Sequence, residues 1–409
     1  MSDFFPIILG SDENAYGSAR LFHDAYGIKP LLMCERQLIP TCYSNLFDVE
    51  LIENFGSEEV FAAALENRLK AISEKFEKIV VVPCSDYYAC MLARIPHIVK
   101  KYVANRFISE KLVETLDTKD KFYALCEKHG LDYPKTVVCD YEHRLDLPEM
   151  LTFDYPIIVK PENSNAYDYL HCSFEGKKKV YFFNSAEEYL TMAKNMNTSE
   201  YKGKLIAQEF IPGGDDAMRV MNSYSAPDGK VLAMSLGQPV LEEYAPKTLG
   251  NYAAIISRSD AAIYEKIKKF LEDINYVGAS NIDMKYDSRT GKYMMFEINP
   301  RLGRSSFFVY GTGLNMMKVM VDDCVYGKRS DTVFADKTAL WYNVPKDVIL
   351  KYVTDPTLSA EIRELFKKKK AFRTLDCKND GHPMRRYRIW RYFCGQRKNF
   401  KKYFMNKNI

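Results

Sequence analysis

No stretch of the 409-residue chain comes near the roughly 18 to 20 consecutive apolar residues needed to cross a bilayer, which argues against a membrane-spanning protein. The opening "MSDFFPIILGSDENAYGSAR" lacks a basic start and a long apolar segment, and acids arrive early, so no secretion signal is expected. The ten cysteines form no CxxC pair and no Cys/His cluster. That excludes the usual zinc and redox motifs and points to small buried hydrophobes in a reducing cytoplasm. Internal repeats and low-complexity blocks are lacking. The first loop after a strand, "GSDENAYGSAR" (Gly10 to Arg20), is not GxGxxG, which weakens a dinucleotide-binding reading.

What is present is the composition of a folded soluble protein, 47% apolar and 27% charged, long enough for two or three domains. The net charge of +4 is unevenly spread: from Glu361 onward the balance is +12, and the first 360 residues carry −8. A basic tail on an acidic body predicts an anionic surface or substrate.

Strand and helix signals alternate over the first hundred or so residues: "FFPIILG", an amphipathic segment, "PLLMCE", "SEEVFAAALENRLKAISEKF" with Ser57 as N-cap, then "KIVVVPCSD". Such alternation predicts a parallel sheet. A linking helix follows to about residue 130. Beyond "YPKTVVCD" short strands flank a helix opened by a capping box, Ser185-x-x-Glu188. A second amphipathic helix carries Ile263, Ile267, Phe270, Leu271 and Ile274 on one stripe, and "ASNIDMKY", "DSRTG" and "KYMMFEIN" read as a β-hairpin. The domain reading is an α/β unit over 1–115, a small lobe with its linking helix over 116–212, a large lobe over 213–335, and a basic aromatic extension over 336–409.

The segment "MMFEINPRLGR" (294–304) is an apolar strand whose end turns polar. Paired across the hairpin turn, Asp283 falls opposite Glu297 or one pair away, on the face that also carries Asn299. Two acids and an amide at one end of a sheet are hard-cation ligands suited to Mg²⁺, which leaves most of its shell to phosphates and water. Arg301, just past the strand, can fork onto a phosphate or carboxylate. Lys160 closes the buried strand "YPIIVKP", and Lys121 opens the helix "TKDKFYALCEKHG". In "LIAQEFIPGGDD" the backbone at Phe210 and Ile211 beside Glu209 could read an adenine, with Asp216 seven residues after Glu209 for ribose hydroxyls. "CSD" (84–86), at the end of a parallel strand, and the first loop are candidate substrate positions.

In order and spacing these pieces resemble the ATP-grasp superfamily over about residues 1 to 330. The resemblance implies a pre-ATP-grasp α/β domain followed by a two-lobed α+β ATP-grasp domain, with ATP held between lobes and two Mg²⁺ ions (or Mn²⁺) on its phosphates. Carried over, Lys121 and Lys160 would contact phosphates. Glu209, Phe210 and Ile211 would meet adenine, and Asp216 the ribose. Asp283, Glu297 and Asn299 would bind the metal. Within the superfamily the chain is most similar to carboxylate–amine ligases of the D-aspartate ligase kind, on "KPENSN", "FEGKKKVYFF" and "IPGGDDAMRVMNSY". One departure is the loop "PENSNAYDYL", free of glycine where many relatives are glycine-rich; Asn163, Ser164 and Asn165 supply turn formers there instead.

The implied chemistry is γ-phosphoryl transfer to an amino-acid carboxylate, then attack by an amine on the acyl phosphate, as in assembly of cell-wall (peptidoglycan) peptides. Arg301 would face the oxyanion. Arg219 would hold the γ-phosphate or a substrate carboxylate, with a structural ion pair as the alternative. Two other readings stay open: a kinase or carboxylase on the same nucleotide site, and a non-catalytic nucleotide binder. The tail interleaves Lys and Arg with Phe, Tyr and Trp390, a pattern that nucleic acid or an anionic membrane surface could bind; the resemblance favours the membrane. A helix packed back on the body by its aromatics is the alternative. The expected place is the cytoplasm, with the inner membrane face as a peripheral station.

Overall fold

The structure is a computed structural model describing residues 3–162, 167–246 and 248–404. The chain divides into two compact units: one holds the described residues of 1–117, 214–284 and 297–406, the other those of 118–213 and 285–296.

In the first unit the strands Asp48–Leu51, Leu31–Cys34, Phe4–Leu9 and Lys78–Pro83 lie side by side in that order, all parallel. Runs such as Ile7, Ile8, Leu9 and Val80, Val81, Val82 are buried on both faces, as a helix-covered parallel sheet requires. Helix Glu58–Ser73 buries Phe61, Leu65, Leu69 and Ile72, the i, i+4 stripe legible in its sequence. Ser57 is its N-cap residue, but the hydroxyl makes no cap hydrogen bond.

A second, mixed sheet of the described residues runs Lys292–Asn299, Gly278–Asp287, Met218–Ser225, Val231–Glu242, Tyr252–Arg258, Leu340–Tyr342 and Ala371–Phe372, with Val333–Phe334 beside the fourth strand. Its first two strands are the expected hairpin, whose tip (285–296) belongs to the second unit. Helix Ala261–Asp273 buries Ile263, Ile267, Phe270 and Leu271 as expected, with Tyr264 added; Ile274 is its C-cap residue.

The second unit has a sheet ordered Thr136–Cys139, Leu205–Glu209, Ile157–Pro161, Tyr181–Phe183, every pair antiparallel. The helix Ala186–Asn197 packs Tyr189, Met192 and Met196 into the same core. Its capping box is half made: Ser185 Oγ accepts from the Glu188 N–H at 3.3 Å, but Glu188 reaches past Ser185 to the Asn184 N–H at 2.8 Å.

The basic C-terminal segment ends in one helix, Pro383–Tyr403, which buries Arg385, Ile389, Phe393, Gln396 and Phe400 along one face of the first unit. All ten cysteines are free thiols. Among the described residues no helix is long and apolar enough to cross a membrane.

Candidate functional site

The candidate residues fall into two groups, one per unit. Asp216, Arg219, Asp283, Glu297, Asn299 and Arg301 lie in the first; Lys121, Lys160, Glu209, Phe210 and Ile211 lie in the second.

In the first group the hairpin does bring the three proposed metal ligands together. The Asn299 amide nitrogen lies 3.3 Å from Asp283 Oδ2 and 3.4 Å from Glu297 Oε1. A half-turn of that amide presents its oxygen in the same direction, so two carboxylates and one amide oxygen can converge on one point. Asp283 is oriented from both sides: Tyr252 donates to Oδ1 at 2.8 Å, and Asn281 Nδ2 donates to Oδ2 at 3.2 Å. Burial first, then the charge of Asp283, drives the Tyr252 phenol far above its ordinary range, so it keeps its proton and serves Asp283 as a donor. Oxygen donors held by outer hydrogen bonds fit a hard cation such as Mg²⁺. No group of three His, Cys, Asp or Glu side chains placed for a metal occurs among the described residues, so the amide is needed to complete this set.

Arg301 donates from Nη2 to Asp86 Oδ2 at 2.6 Å. Arg301 is largely covered while Asp86 is half exposed, leaving the rest of the guanidinium fork for a second anion. The "CSD" segment thus reaches the polar end of the "FEINPR" strand, 215 residues away in sequence. The first loop behaves differently from an anion-binding loop. Asp12 caps the helix Glu13–Tyr26, accepting the Ala15 N–H at 3.0 Å, and Glu13 follows, so acids fill the helix start.

Behind Arg301 lies a buried charge cluster that the sequence did not announce. Arg304 is 3.5 Å from Glu13 Oε2 and donates to Glu243 Oε1 at 3.1 Å and to the Tyr392 hydroxyl at 3.1 Å. Asn343 donates to Glu13 and to Tyr392. Burial pushes the Glu13 carboxyl up to about 8, with Arg304 pulling it down and Glu243 pushing it further up. Burial opposes the Arg304 charge too, but Glu13 and Glu243 outweigh it and raise the Arg304 pKa. The one sequence signal was the spacing "PRLGR", which puts a second arginine three residues after Arg301; its partners come from segments up to 291 residues away, where no local pattern leads.

Asp216 sits exposed in a single turn, Asp215–Ala217, and its carbonyl accepts from Arg219 and Gln238 at 2.7 and 2.8 Å. Arg219 also donates to the Met218 carbonyl at 2.7 Å.

In the second unit Glu209 ends its strand and accepts from Arg289 at 2.8 Å, Arg289 being anchored on the buried Asp287. Phe210 meets Phe182 edge-on at 5.1 Å, with the Lys285 ammonium 5.3 Å from its ring, and Ile211 is buried. Lys160 is half-buried in its strand and Lys121 stands exposed in the first turn of helix Lys119–Lys128. The neighbouring Lys119 reaches inward instead and donates to the Phe296 carbonyl at 2.8 Å. Asn163, Ser164 and Asn165 of the glycine-free loop lie outside the described residues.

The family model of the carbamoyl-phosphate synthase L chain, ATP binding domain, matches residues 252–322, the segment holding Asp283, Glu297, Asn299 and Arg301. A D-aspartate ligase of Enterococcus faecium (strain Aus0004) is 38% identical over 411 residues, covering 98% of this chain and 97% of that protein. Among solved structures, an L-amino acid ligase from Bacillus licheniformis matches with a TM-score of 0.53 at 16% identity, over 81% of this chain and 75% of the other. The biotin carboxylase domain of a Hydrogenobacter thermophilus 2-oxoglutarate carboxylase, solved with MgADP, ADP and bicarbonate, matches at 0.56 and 14% identity, over 83% and 74%.

Proposed function

Because the chain belongs to the ATP-grasp superfamily and is an ATP-dependent ligase, we propose that it joins the carboxylate of an amino acid, D-aspartate, to the amine of a peptidoglycan-precursor side chain in the cytoplasm. The observation carrying this reading is the gathering of Asp283, Glu297 and Asn299 at one sheet end, with Arg301 two residues further on.

In this mechanism Asp283, Glu297 and Asn299 hold the divalent ions, which when bound supply positive charge to the phosphate oxygens of ATP. Tyr252 and Asn281 fix the Asp283 carboxylate in place. Lys121 and Lys160 bring ammonium groups to phosphate oxygens. Glu209 and the backbone at Phe210 and Ile211 meet the adenine, and Asp216 the ribose. The amino-acid carboxylate attacks the γ-phosphorus, the bond to the β-phosphate oxygen breaks, and ADP leaves. The amine then attacks the acyl phosphate and expels phosphate, giving the amide. Arg301 neutralises the oxyanion that forms at the acyl carbon, with Asp86 holding its guanidinium on the other side. Arg219 steadies the γ-phosphate or the substrate carboxylate. Catalysis is alignment and neutralisation throughout, without a covalent link to the protein.

ADP release screened over D- and L-amino acids, each with and without a precursor peptide, tests the proposal. Release that requires D-aspartate together with an amine, and that Asp283→Asn abolishes, is expected. Turnover supported by bicarbonate or by a hydroxyl acceptor, with no amide formed, would overturn it.

A further inference from the structure

The basic extension presents a cavity, and its chemistry is specific. Beside helix Pro383–Tyr403, in the first unit, lies an open space of about 640 Å³. Six cationic side chains and three carboxylates line it. The carboxylates are already engaged: Asp347 takes both Nε and Nη2 of Arg397 at 2.8 Å, Asp376 takes Arg373 at 2.7 Å, and Asp380 takes Arg385 at 2.7 Å. Lys346 lies 4.5 Å from the Phe366 ring. Lys378 and Arg386 are left with no carboxylate partner among the described residues.

Arg385 is the unusual member. It is 2% exposed, packs 4.1 Å from the Tyr16 ring, and donates from Nη1 to the Pro40 carbonyl at 2.6 Å. Its partner Asp380 is fully satisfied, by Tyr16 and Ser44 hydroxyls and the Asn45 N–H as well as by Arg385. Yet Arg385 Nη2 is buried without an acceptor among the described residues. A buried guanidinium nitrogen with no acceptor is costly, and an acceptor bound in the cavity beside it would offset that cost. On the rim, Trp390 is 59% exposed, a large ring left in water beside a basic cavity.

We propose that this cavity is an anion subsite, taking a phosphate or carboxylate group of the acceptor on Arg385, Arg386 and Lys378, with the Trp390 ring against the part of the molecule that carries the charge. This extension to the acceptor rests on the ligase reading; anion binding itself does not. The same helix supports the connection: Tyr392, which touches Arg304 behind the candidate oxyanion arginine, follows Arg385 by seven residues, about 10 Å of helix. An acceptor with its amine at the reaction centre and an anionic group further along its length suits that layout.

Trp390 is also the reporter, because the protein's other tryptophan, Trp341, is buried. Full-length protein saturated with a non-hydrolysable ATP analogue and Mg²⁺ is titrated with inorganic pyrophosphate and with glutarate, reading tryptophan emission and heat. Saturable binding of either anion is expected, silent by fluorescence in Trp390→Phe and weakened at least about tenfold in a Lys378→Ala/Arg386→Ala protein. Those two positions are chosen because replacing Arg385 would disturb folding through Asp380. No saturable binding, or binding undisturbed by the double variant, overturns the proposal. Anionic vesicles form a third arm: binding to vesicles through Lys378 and Arg386 without binding of either free anion assigns the cavity to a lipid surface and also overturns it. In turnover, the double variant is expected to raise the acceptor KM by about tenfold while leaving the KM values for ATP and amino acid unchanged. If no acceptor supports turnover at all, the ligase reading fails while the titrations still decide the subsite.

Discussion

Asp283, a proposed metal ligand, is positioned by neighbouring side chains. Its carboxylate is held by Tyr252 on one oxygen and Asn281 on the other, so its direction is set before any cation arrives. Tyr252→Phe removes one of those donors and keeps the ring's packing. The expected result is a 10- to 100-fold increase (order of magnitude) in the Mg²⁺ concentration giving half-maximal ADP release, with thermal stability little changed; an unaltered Mg²⁺ dependence would argue against the metal assignment. Asp283, Glu297 and Asn299 could be picked out of the sequence because a hairpin's period of two places them on one face, and Arg301 because it follows just past the strand's end. Tyr252 could not, since it comes from a strand that is not a hairpin neighbour of Asp283.

At the scale of elements, the start of helix Glu13–Tyr26 carries the clearest pH signature. Glu13 has an unperturbed value of 4.5, and burial raises it to about 8 in the folded chain. Between those values the native state holds a proton that the unfolded chain has released, so stability is greatest below about pH 4.5 as far as this group is concerned and declines as pH rises towards 8. Glu13→Gln is neutral in both states. Urea midpoints measured from pH 5 to 8 are expected to fall more steeply for the natural chain than for the Gln variant; parallel curves would show that Arg304 keeps Glu13 ionised. The helix Ala261–Asp273 was legible from its apolar stripe, but the single linking helix expected up to about residue 130 is four short helices, Asp86–Arg94, Pro96–Tyr102, Glu110–Asp117 and Lys119–Lys128, and end details were not legible. Glu188 bonds to Asn184 instead of Ser185, and Asp12 rather than an anion occupies the first helix start, because caps depend on local backbone angles that composition does not reveal.

Over the whole molecule, the C-terminal extension is a structural member of the first unit. Phe400 is 1% exposed and packs with Tyr352, Tyr244 and Phe404. Phe400→Ala is expected to destabilise that unit by about 3 to 5 kcal/mol, seen as an earlier first transition in thermal or urea unfolding, whereas a solvated tail would tolerate the change. Pattern and order along the chain were sufficient for the parallel sheet, the hairpin that gathers Asp283, Glu297 and Asn299, and the superfamily, since each rests on residues near one another in sequence or on a fixed strand period. Only the folded chain could join Arg304 to Glu13 and Glu243, Arg301 to Asp86, or Arg385 to Asp380 and Tyr16. Those pairings depend on which distant segments pack together, and a single charged residue looks the same in a sequence whether its partner is water or an acid hundreds of positions away.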